Sequence, residues 1–504
     1  MTPRTGRPGG PAHVGRAAVA PDGEVLPELV ATGVAAADAL LATAAGQQQA
    51  RRVAARLTAN AVAARGHLPA GLAPPGRRDG RCTLLAAHGA TDSPDRAAAV
   101  TAAAITTTQC DEGLREARGH PGLHAYAAAL AATEDADGDL RTLLRALAVG
   151  WEVGARLGLL LGPLRDGVHP HGGWGTAAAA AAAGVAAGLD TAGLADAVNL
   201  ALTVALAGPD ESTRRGAPAH HLLPALGTAA GLTVAYLVRD GFPATGPAAA
   251  HLGRTAHQGP PTPVAVDAAL ATRPLLPDAY FKPVGVCAHA LTSWTAARSL
   301  ARDVPGADVA TVTVHTYAGA ALLAERFPAN RLARQFSIPW AVACGLLGLD
   351  PGVADGRTET VRHDEAARIA EAARIAEAAR IAARVTVRHD PGLDDGYPYG
   401  RPAVVELRDR AGRCHTARAR FHPGDREAPL SADELAAVDA ALLRTAGPPT
   451  GATELLRALA QAPGSVSLRH LTAPVRGEAP SPTGGPGPTP AAPGTSRRKD
   501  TASW

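Results

Sequence analysis

The feature that most constrains the fold is a stretch of small residues, Gly175-Thr176 followed by Ala177 through Ala183 and Gly184. Alanine is the best helix former because it loses no side-chain entropy. A helix that is small and apolar all round has neither a bulky stripe nor a solvated face, so its place is inside a bundle, with neighbouring backbones close. The same texture runs from Leu26 to about Gly259 in "ELVATGVAAADALLATAA", "QARRVAARLTANAVAAR", "LRTLLRALAVGWEVGARLGLLLG", "TAGLADAVNLALTVALAG" and "LGTAAGLTVAYLVRDG". Apolar positions recur at three and four, and Gly, Pro or Asp break the runs. Hydrophobic residues are 46 % of the chain but aromatics only 3 %, so the core is built from Ala, Leu and Val.

From about Thr262 to Asp425 the period changes. "ADVATVTVHTY", "ARVTVRHD" and "PAVVELRD" alternate as strands, among the helices "HALTSWTAARSLARD" and "SIPWAVACGLLG". Helical patterning returns in "SADELAAVDAALLRT" and "GATELLRALAQA", where Ser431 and Glu434 form a capping box. The expected fold class is therefore mainly α, with helices over 24–262, an α+β region over 263–430 and helices again over 431–471. Residues 1–23 and 472–504 are rich in Gly, Pro and Arg or Ser and are expected to be disordered tails. The hexad EAARIA occurs three times in tandem over 365–382. Six residues match neither a 3.5 nor a 3.6 period, so the repeat sustains no single apolar stripe and reads as the lengthening of an exposed helix, with a partner-binding helix as the other reading.

The net charge of +3 gives no argument for nucleic acid or an anionic membrane. Cys82, Cys110, Cys287, Cys344 and Cys414 are far apart and form no CxxC, which speaks against a zinc site, an iron–sulfur cluster or a disulfide framework. "MTPRTGRPGGPAHVGR" lacks the apolar stretch of a signal peptide, and the run Ala177 to Leu189 is too short to span a bilayer. These features describe a soluble, cytoplasmic protein.

Four stretches carry candidate chemistry. "TTTQCDEGLREARGHPGLH" gathers Asp111, Glu112 and His120, a carboxylate pair and an imidazole suited to acid–base work, or else a solvated helix end and a loop. "GVHPHGGWGT" places His169 and His171 just before the alanine helix, whose N-terminus favours anions, and Gly172, Gly173 and Gly175 let a ligand approach the backbone. "AYFKPVGVCAHALTSWTAA" contains Lys282, Cys287 and His289. The chain has only two lysines, Lys282 and Lys499, and a compact ammonium retained among arginines points to a role for it. "HHLLP" holds His220 and His221, which point apart on a helix, leaving one to face a cleft. No HExxH, GxxxxGK[ST], GxSxG or strand-associated GxGxxG occurs.

Taken together, these segments resemble the MmgE/PrpD family, which includes 2-methylcitrate dehydratase, cis-aconitate decarboxylase and iminodisuccinate epimerase. The resemblance runs from about Leu26 to Leu471 and is most specific in "GWEVGARLG…GVHPHGGWGTAAAAAAAGVAAGLD", "YFKPVGVCAHA" and "ARQFSIPWAVACGLLG". It implies a large all-helical domain, assembled from the N-terminal region and the last helices, with an inserted α+β domain and a cleft between them. It also implies a homodimer and chemistry without a cofactor or metal on a small di- or tricarboxylate. His120, His169 and Lys282 fall on family positions, Cys287 on one that is Cys or His, and His289 on a histidine common in the dehydratases. The chain departs where members often carry Asp-x-Asp-Asp-Thr: Cys110-Asp111-Glu112-Gly113-Leu114 keeps only the acidic pair. His220, or else Arg214 or Arg215, falls near a lysine of the decarboxylases, Trp340 replaces a tyrosine, and Leu291 replaces a second histidine. These departures point to a different substrate, such as one of secondary metabolism.

The implied activity is that of a hydro-lyase: proton abstraction beside a carboxylate, then loss of a β-leaving group. Lys282 and the N–H groups after Gly173 would stabilise the enediolate-like charge, usually the largest catalytic term. His169 is assigned as the base and His120 as the acid, with the reverse order open, and Asp111 or Glu112 orients an imidazole. His289, Cys287, His220, Gly173 and Trp340 are expected to bind substrate, and His171 to tune specificity or stand by. An isomerase, epimerase or decarboxylase would use the same pocket, and a catalytically impaired binding or scaffold protein is the reading from another class.

Overall fold

The computed structural model describes residues 25–478 except 70, 73–75, 78–79, 88, 244–245, 247, 260, 305–307, 353–364 and 446–450. The expected tail over 1–23 and most of that over 472–504 lie outside the described residues. The fold is mainly α with a smaller α+β part. Helices of the first part include α1 Val25–Leu41, α2 Ala44–Ala63, α3 Pro94–Thr108, α4 Pro121–Asp135, α5 Leu140–Leu161, α6 Trp174–Ala186, α7 Thr191–Thr203, the short α8 Asp210–Arg214 and α9 Leu222–Arg239. Two-residue strands β1 Cys82–Thr83 and β2 Ala90–Thr91 pair beside them.

The alanine helix α6 is the axis of this bundle. Ala177 through Ala183 are all fully buried, and α4, α5, α7 and α9 pack around them. Close approach requires glycine on the facing helices: a Cβ on Gly231 of α9 would lie 2.2 Å from the Thr176 carbonyl oxygen, and one on Gly150 of α5 would lie 2.7 Å from that of Ala178. The segment Pro218–Arg239 is long and apolar enough to cross a membrane, yet half of its apolar window is buried, and it packs on α3 and α6 as a core helix of the fold.

A short antiparallel pair joins the two parts. Strand β3 Glu112–Gly113 lies against β4 Tyr280–Phe281, with Glu112 opposite Phe281 and Gly113 opposite Tyr280. A second core then forms around a four-stranded sheet of order β6-β5-β7-β8: β5 Val309–Thr316, β6 Val385–His389, β7 Ala403–Asp409 and β8 Cys414–Ala419. β5 and β6 run parallel and the other neighbours antiparallel. The helices Leu291–Leu300 and Ile338–Leu347 pack in this second core. β8 is an edge strand with no buried residue, which is why "RCHTARARF" gave no apolar alternation to detect.

The helices Ala432–Thr445 and Ala452–Gln461 return to pack on α2, and the expected capping box forms: the Ser431 amide donates to Glu434 (2.8 Å) and the Glu434 amide to the Ser431 hydroxyl (3.2 Å). The boundary expected at 471 moves. A final helix, Leu468–Arg476, continues past it because Thr472 and Arg476 have buried partners: the Thr472 hydroxyl donates to Glu134 (2.6 Å), and Arg476 pairs with Glu134 (3.6 Å) and Glu478 (2.9 Å). The EAARIA hexads form one helix, Glu365–Ala382.

Candidate active site

The seam between the two parts sets the first group of side chains. Helix α3 ends at Thr108, and Gln109 takes the left-handed conformation (φ 52°), turning the chain into β3. Asp111 precedes β3 and Lys282 follows β4, so the pairing brings them together: Lys282 Nζ donates to Asp111 Oδ1 at 2.7 Å. The other carboxylate oxygen lies 2.8 Å from His120 Nδ1, which is also 2.6 Å from the Glu112 carbonyl oxygen. Burial opposes charge on Asp111, but His120 and Lys282 outweigh it and hold its carboxyl well below the usual range. Arg56 braces the seam from α2, donating to the Lys282 carbonyl (2.9 Å) and to Asp439 (2.5 Å) on the returning helix.

The acidic pair is divided in its work. Glu112 turns away from Lys282 and accepts from Trp151 Nε1 (2.9 Å) and the Gly122 amide (2.8 Å), fixing the start of α4. Burial pushes its pKa up to about 8, so it keeps its proton at neutral pH. Gly113, in the segment where Asp-x-Asp-Asp-Thr was compared, has no room for a side chain: a Cβ there would lie 2.5 Å from the Tyr280 hydroxyl.

Six imidazoles come together beside this seam, and His171, set aside in the sequence, is at their centre. Its ring centroid lies 4.8 Å from His169, 5.5 Å from His120, 5.6 Å from His220 and 5.9 Å from His124; His221 lies 5.1 Å from His220. The loop before α6 supplies His169 and His171, tied down where the His169 amide donates to the Gly208 carbonyl (2.8 Å). Gly175 leaves space for His124, whose ring a Cβ would meet at 2.3 Å, whereas a Cβ on Gly173 would meet nothing nearer than 3.9 Å. His124 Nδ1 bonds Thr228 Oγ1 (2.8 Å), while its Nε2 is buried and unpartnered. Five of these imidazoles are held uncharged at neutral pH. Burial lowers His169 and His124 to about 3, His221 to about 4, and His171 and His220 well below the usual value.

The hydrogen bonds fix opposite tautomers on two of these rings. The His171 amide donates to His169 Nδ1 (3.1 Å), so a neutral His169 carries its proton on Nε2. His120 Nδ1 faces two oxygen acceptors, so the neutral form of this ring carries its proton there and has its lone pair on Nε2.

The α+β part closes the other side. Gln335 Nε2 donates to the Thr107 (3.1 Å) and Thr108 (3.2 Å) carbonyls, and the Phe336 ring stands 5.5 Å from His220. His289 bonds the Tyr317 hydroxyl through Nδ1, and burial together with the Arg401, His120 and Lys282 charges lowers it to about 3. Cys287 is buried here too, and burial raises its thiol pKa. Trp340 is not part of this group. It is committed to the second core, with Nε1 donating to the Pro351 carbonyl (3.3 Å) and the Arg334 guanidinium over its ring (4.7 Å). Arg214 and Arg215 pair on the surface with Asp210 and Glu211, so of the three candidates only His220 reaches the site.

The sequence pointed to Asp111, His120, His169, Lys282, His220 and His289 in this group, and expected only one of His220 and His221 to face it, whereas both rings join the cluster. It missed His124, Tyr280, Tyr317, Tyr397 and Arg401. His124 was within reach as the second histidine of "HPGLH". The tyrosines and Arg401 carry no local signal. Two family models match the chain: the MmgE/PrpD N-terminal domain over residues 34–255 and the MmgE/PrpD C-terminal domain over residues 285–452. No curated protein matches it.

Proposed function

Because the chain belongs to the MmgE/PrpD family, we propose that it is a cofactor-independent hydro-lyase acting on a small hydroxy di- or tricarboxylate. The observation that carries this reading is the pair of opposed tautomers at His120 and His169. His120, backed by Asp111, presents a lone pair at Nε2 and a carboxylate to stabilise the imidazolium it becomes, which is what a general base needs. His169 has no carboxylate partner and presents an N–H, which is what a general acid needs. This reverses the order assigned from sequence alone.

In the proposed reaction His120 Nε2 removes the proton on the carbon beside the substrate carboxylate. The C–H electron pair forms the enediolate and then the C=C bond, as the β-carbon–oxygen bond breaks. The neutral His169 gives its Nε2–H to the departing hydroxyl, which leaves as water; the imidazolate left at His169 then regains a proton at the expense of the His120 imidazolium, so both rings return to their neutral forms. Lys282 and the start of α6 at Gly173 face the charge that develops on the carboxylate, so their donors are aligned before the reaction rather than recruited during it. The tightly packed seam keeps bulk water from competing for those donors.

The test is a screen of hydroxy di- and tricarboxylates for new ultraviolet absorbance from a conjugated alkene, with Lys282→Ala as control. Absence of an alkene from every member of the panel would falsify the dehydratase reading. The same two imidazoles, acting on one carbon, would serve an epimerase. Exchange of the α-proton with solvent deuterium without alkene formation marks that outcome.

A further inference from the structure

We infer that Arg401 is the residue that binds the second carboxylate of the substrate, and that it makes the site selective for di- and tricarboxylates over monocarboxylates. The inference rests on the proposed carboxylate chemistry and adds to it a specificity residue from the α+β side of the seam.

Arg401 stands just before β7, between Gly400 and Pro402. It is 4 % exposed, and its guanidinium lies 4.8 Å from the centroid of the Tyr280 ring. Its Nε and Nη1 are buried without a hydrogen-bond partner. Among the described residues no carboxylate forms an ion pair with it. The acid whose charge it feels, Asp425, makes no ion pair with it: one oxygen accepts from the His422 amide (2.8 Å), and the other, buried without a hydrogen bond of its own, lies 3.5 Å from Arg115 and 3.6 Å from His422 Nε2. The other buried arginines are engaged. Arg156 donates to Glu152 and three carbonyl oxygens, and Arg56 to Asp439 and the Lys282 carbonyl. An arginine always carries its charge, and burying one without an acceptor is costly unless a ligand supplies it.

The position is right for a ligand. Tyr280 carries the Arg401 guanidinium over its face and packs edge-on to His120, with ring centroids 6.3 Å apart. His289 lies within the fields of Arg401, His120 and Lys282 together. A guanidinium offers parallel N–H donors that match a carboxylate in a bidentate pair, whereas an ammonium offers a point charge. One substrate carboxylate therefore meets Lys282, where charge develops, and the remote one meets Arg401, where it stays unchanged through the reaction. Binding energy from a remote group then positions the reacting carbon.

The experiment measures binding, so it does not depend on turnover. Affinities of succinate, malate and citrate are compared with those of propionate and lactate, by calorimetry, for the wild type, Arg401→Met and Arg401→Lys. The wild type is expected to prefer the di- and tricarboxylates at least tenfold. Arg401→Met is expected to lose that preference while keeping monocarboxylate affinity within about twofold, and Arg401→Lys to keep part of it. The Tm of unliganded Arg401→Met is expected at or above that of the wild type, because an unpaired buried charge has gone; Arg156→Met, which breaks a buried ion pair, is expected to fall. An Arg401→Met protein that keeps the preference overturns the inference while leaving the hydro-lyase reading intact. So does one whose unliganded Tm falls as far as that of Arg156→Met. A wild type that binds none of the five acids overturns both.

Discussion

The two parts that meet at the seam are built from different chemistry. The helical side presents six imidazoles, five of them lowered so far that they stay uncharged at neutral pH. The α+β side presents a fixed cation, Arg401, among the rings of Tyr280, Tyr317 and Tyr397. Lys282 stands on the seam with Asp111. A neutral imidazole moves protons but holds an anion poorly, and a guanidinium holds an anion but moves no protons. The difference teaches where a charge is allowed to appear. Among the clustered histidines, only His120 has a carboxylate beside it, so only there is an imidazolium compensated.

The largest effect is expected at the seam. Lys282→Ala removes the donor facing the reacting carboxylate and leaves the buried Asp111 with one partner instead of two. Stability should fall by about 3–5 kcal/mol, as for other buried ion pairs broken on one side, and turnover should fall below detection. Urea unfolding and the alkene assay measure the two losses. A Lys282→Ala protein as stable as the wild type would remove the seam from the comparison.

Next come the two imidazoles with opposite tautomers. His120→Gln is expected to lower kcat/KM by about 10²–10⁴-fold, the range for a positioned base, and to abolish exchange of the α-proton with deuterated solvent. His169→Gln should lower elimination by a similar factor yet leave that exchange detectable, because the base is still present. If exchange survives in His120→Gln and vanishes in His169→Gln, the base is His169 and the sequence-based order stands.

Acid should act on the helical side. A histidine whose folded pKa lies below its unfolded value near 6.5 contributes stability that is complete above pH 6.5 and is lost as pH falls, because the unfolded chain takes the proton first. Each such group adds up to about 1.4 kcal/mol per pH unit to the slope. Stability is therefore expected to drop steeply between pH 6.5 and 4. Glu112 acts in the opposite sense: its raised pKa, about 8, means that stability is lost as pH rises from its unfolded value toward 8. The difference between wild type and His171→Asn isolates one imidazole, since the carboxyl contributions cancel. A His171→Asn curve parallel to that of the wild type from pH 7 to 4 would mean that His171 titrates normally in the fold.

The two sides were also unequally legible in the sequence. On the helical side glycines, prolines and histidines cluster in short segments, so "GVHPHGGWGT" announced itself, and Lys282 stood out against a background of arginine. His171 was undervalued because its importance is a matter of packing: nothing local says that four other rings surround it. On the other side the reverse holds. Arg401 is one arginine among many, and its distinction is the absence of a carboxylate partner, which exists only in three dimensions. Trp340 failed for a related reason, since an aromatic at a familiar position can turn into a core as readily as into a cleft.

The smallest effect is expected where neither side is touched, in the hexad helix Glu365–Ala382. Its three isoleucines show why a six-residue repeat cannot keep one face inward: Ile369 is exposed, Ile375 is half-buried and Ile381 is fully buried. Each hexad turns the pattern by about 240° at 3.6 residues per turn. The buried contacts near the end of the helix, at Ala378, Ile381 and Ala382, all belong to the last hexad, next to β6. Because the repeats are identical, deleting any one of them yields the same shorter chain, and the hexad joined to β6 is retained with its contacts. The shortened protein should match the wild type in stability within about 0.5 kcal/mol, the usual range for changes away from packed groups, and in kcat/KM within about twofold. Calorimetric unfolding and the alkene assay check this. A larger loss of activity would tie the repeat to the cleft and end its separation from the two sides compared above.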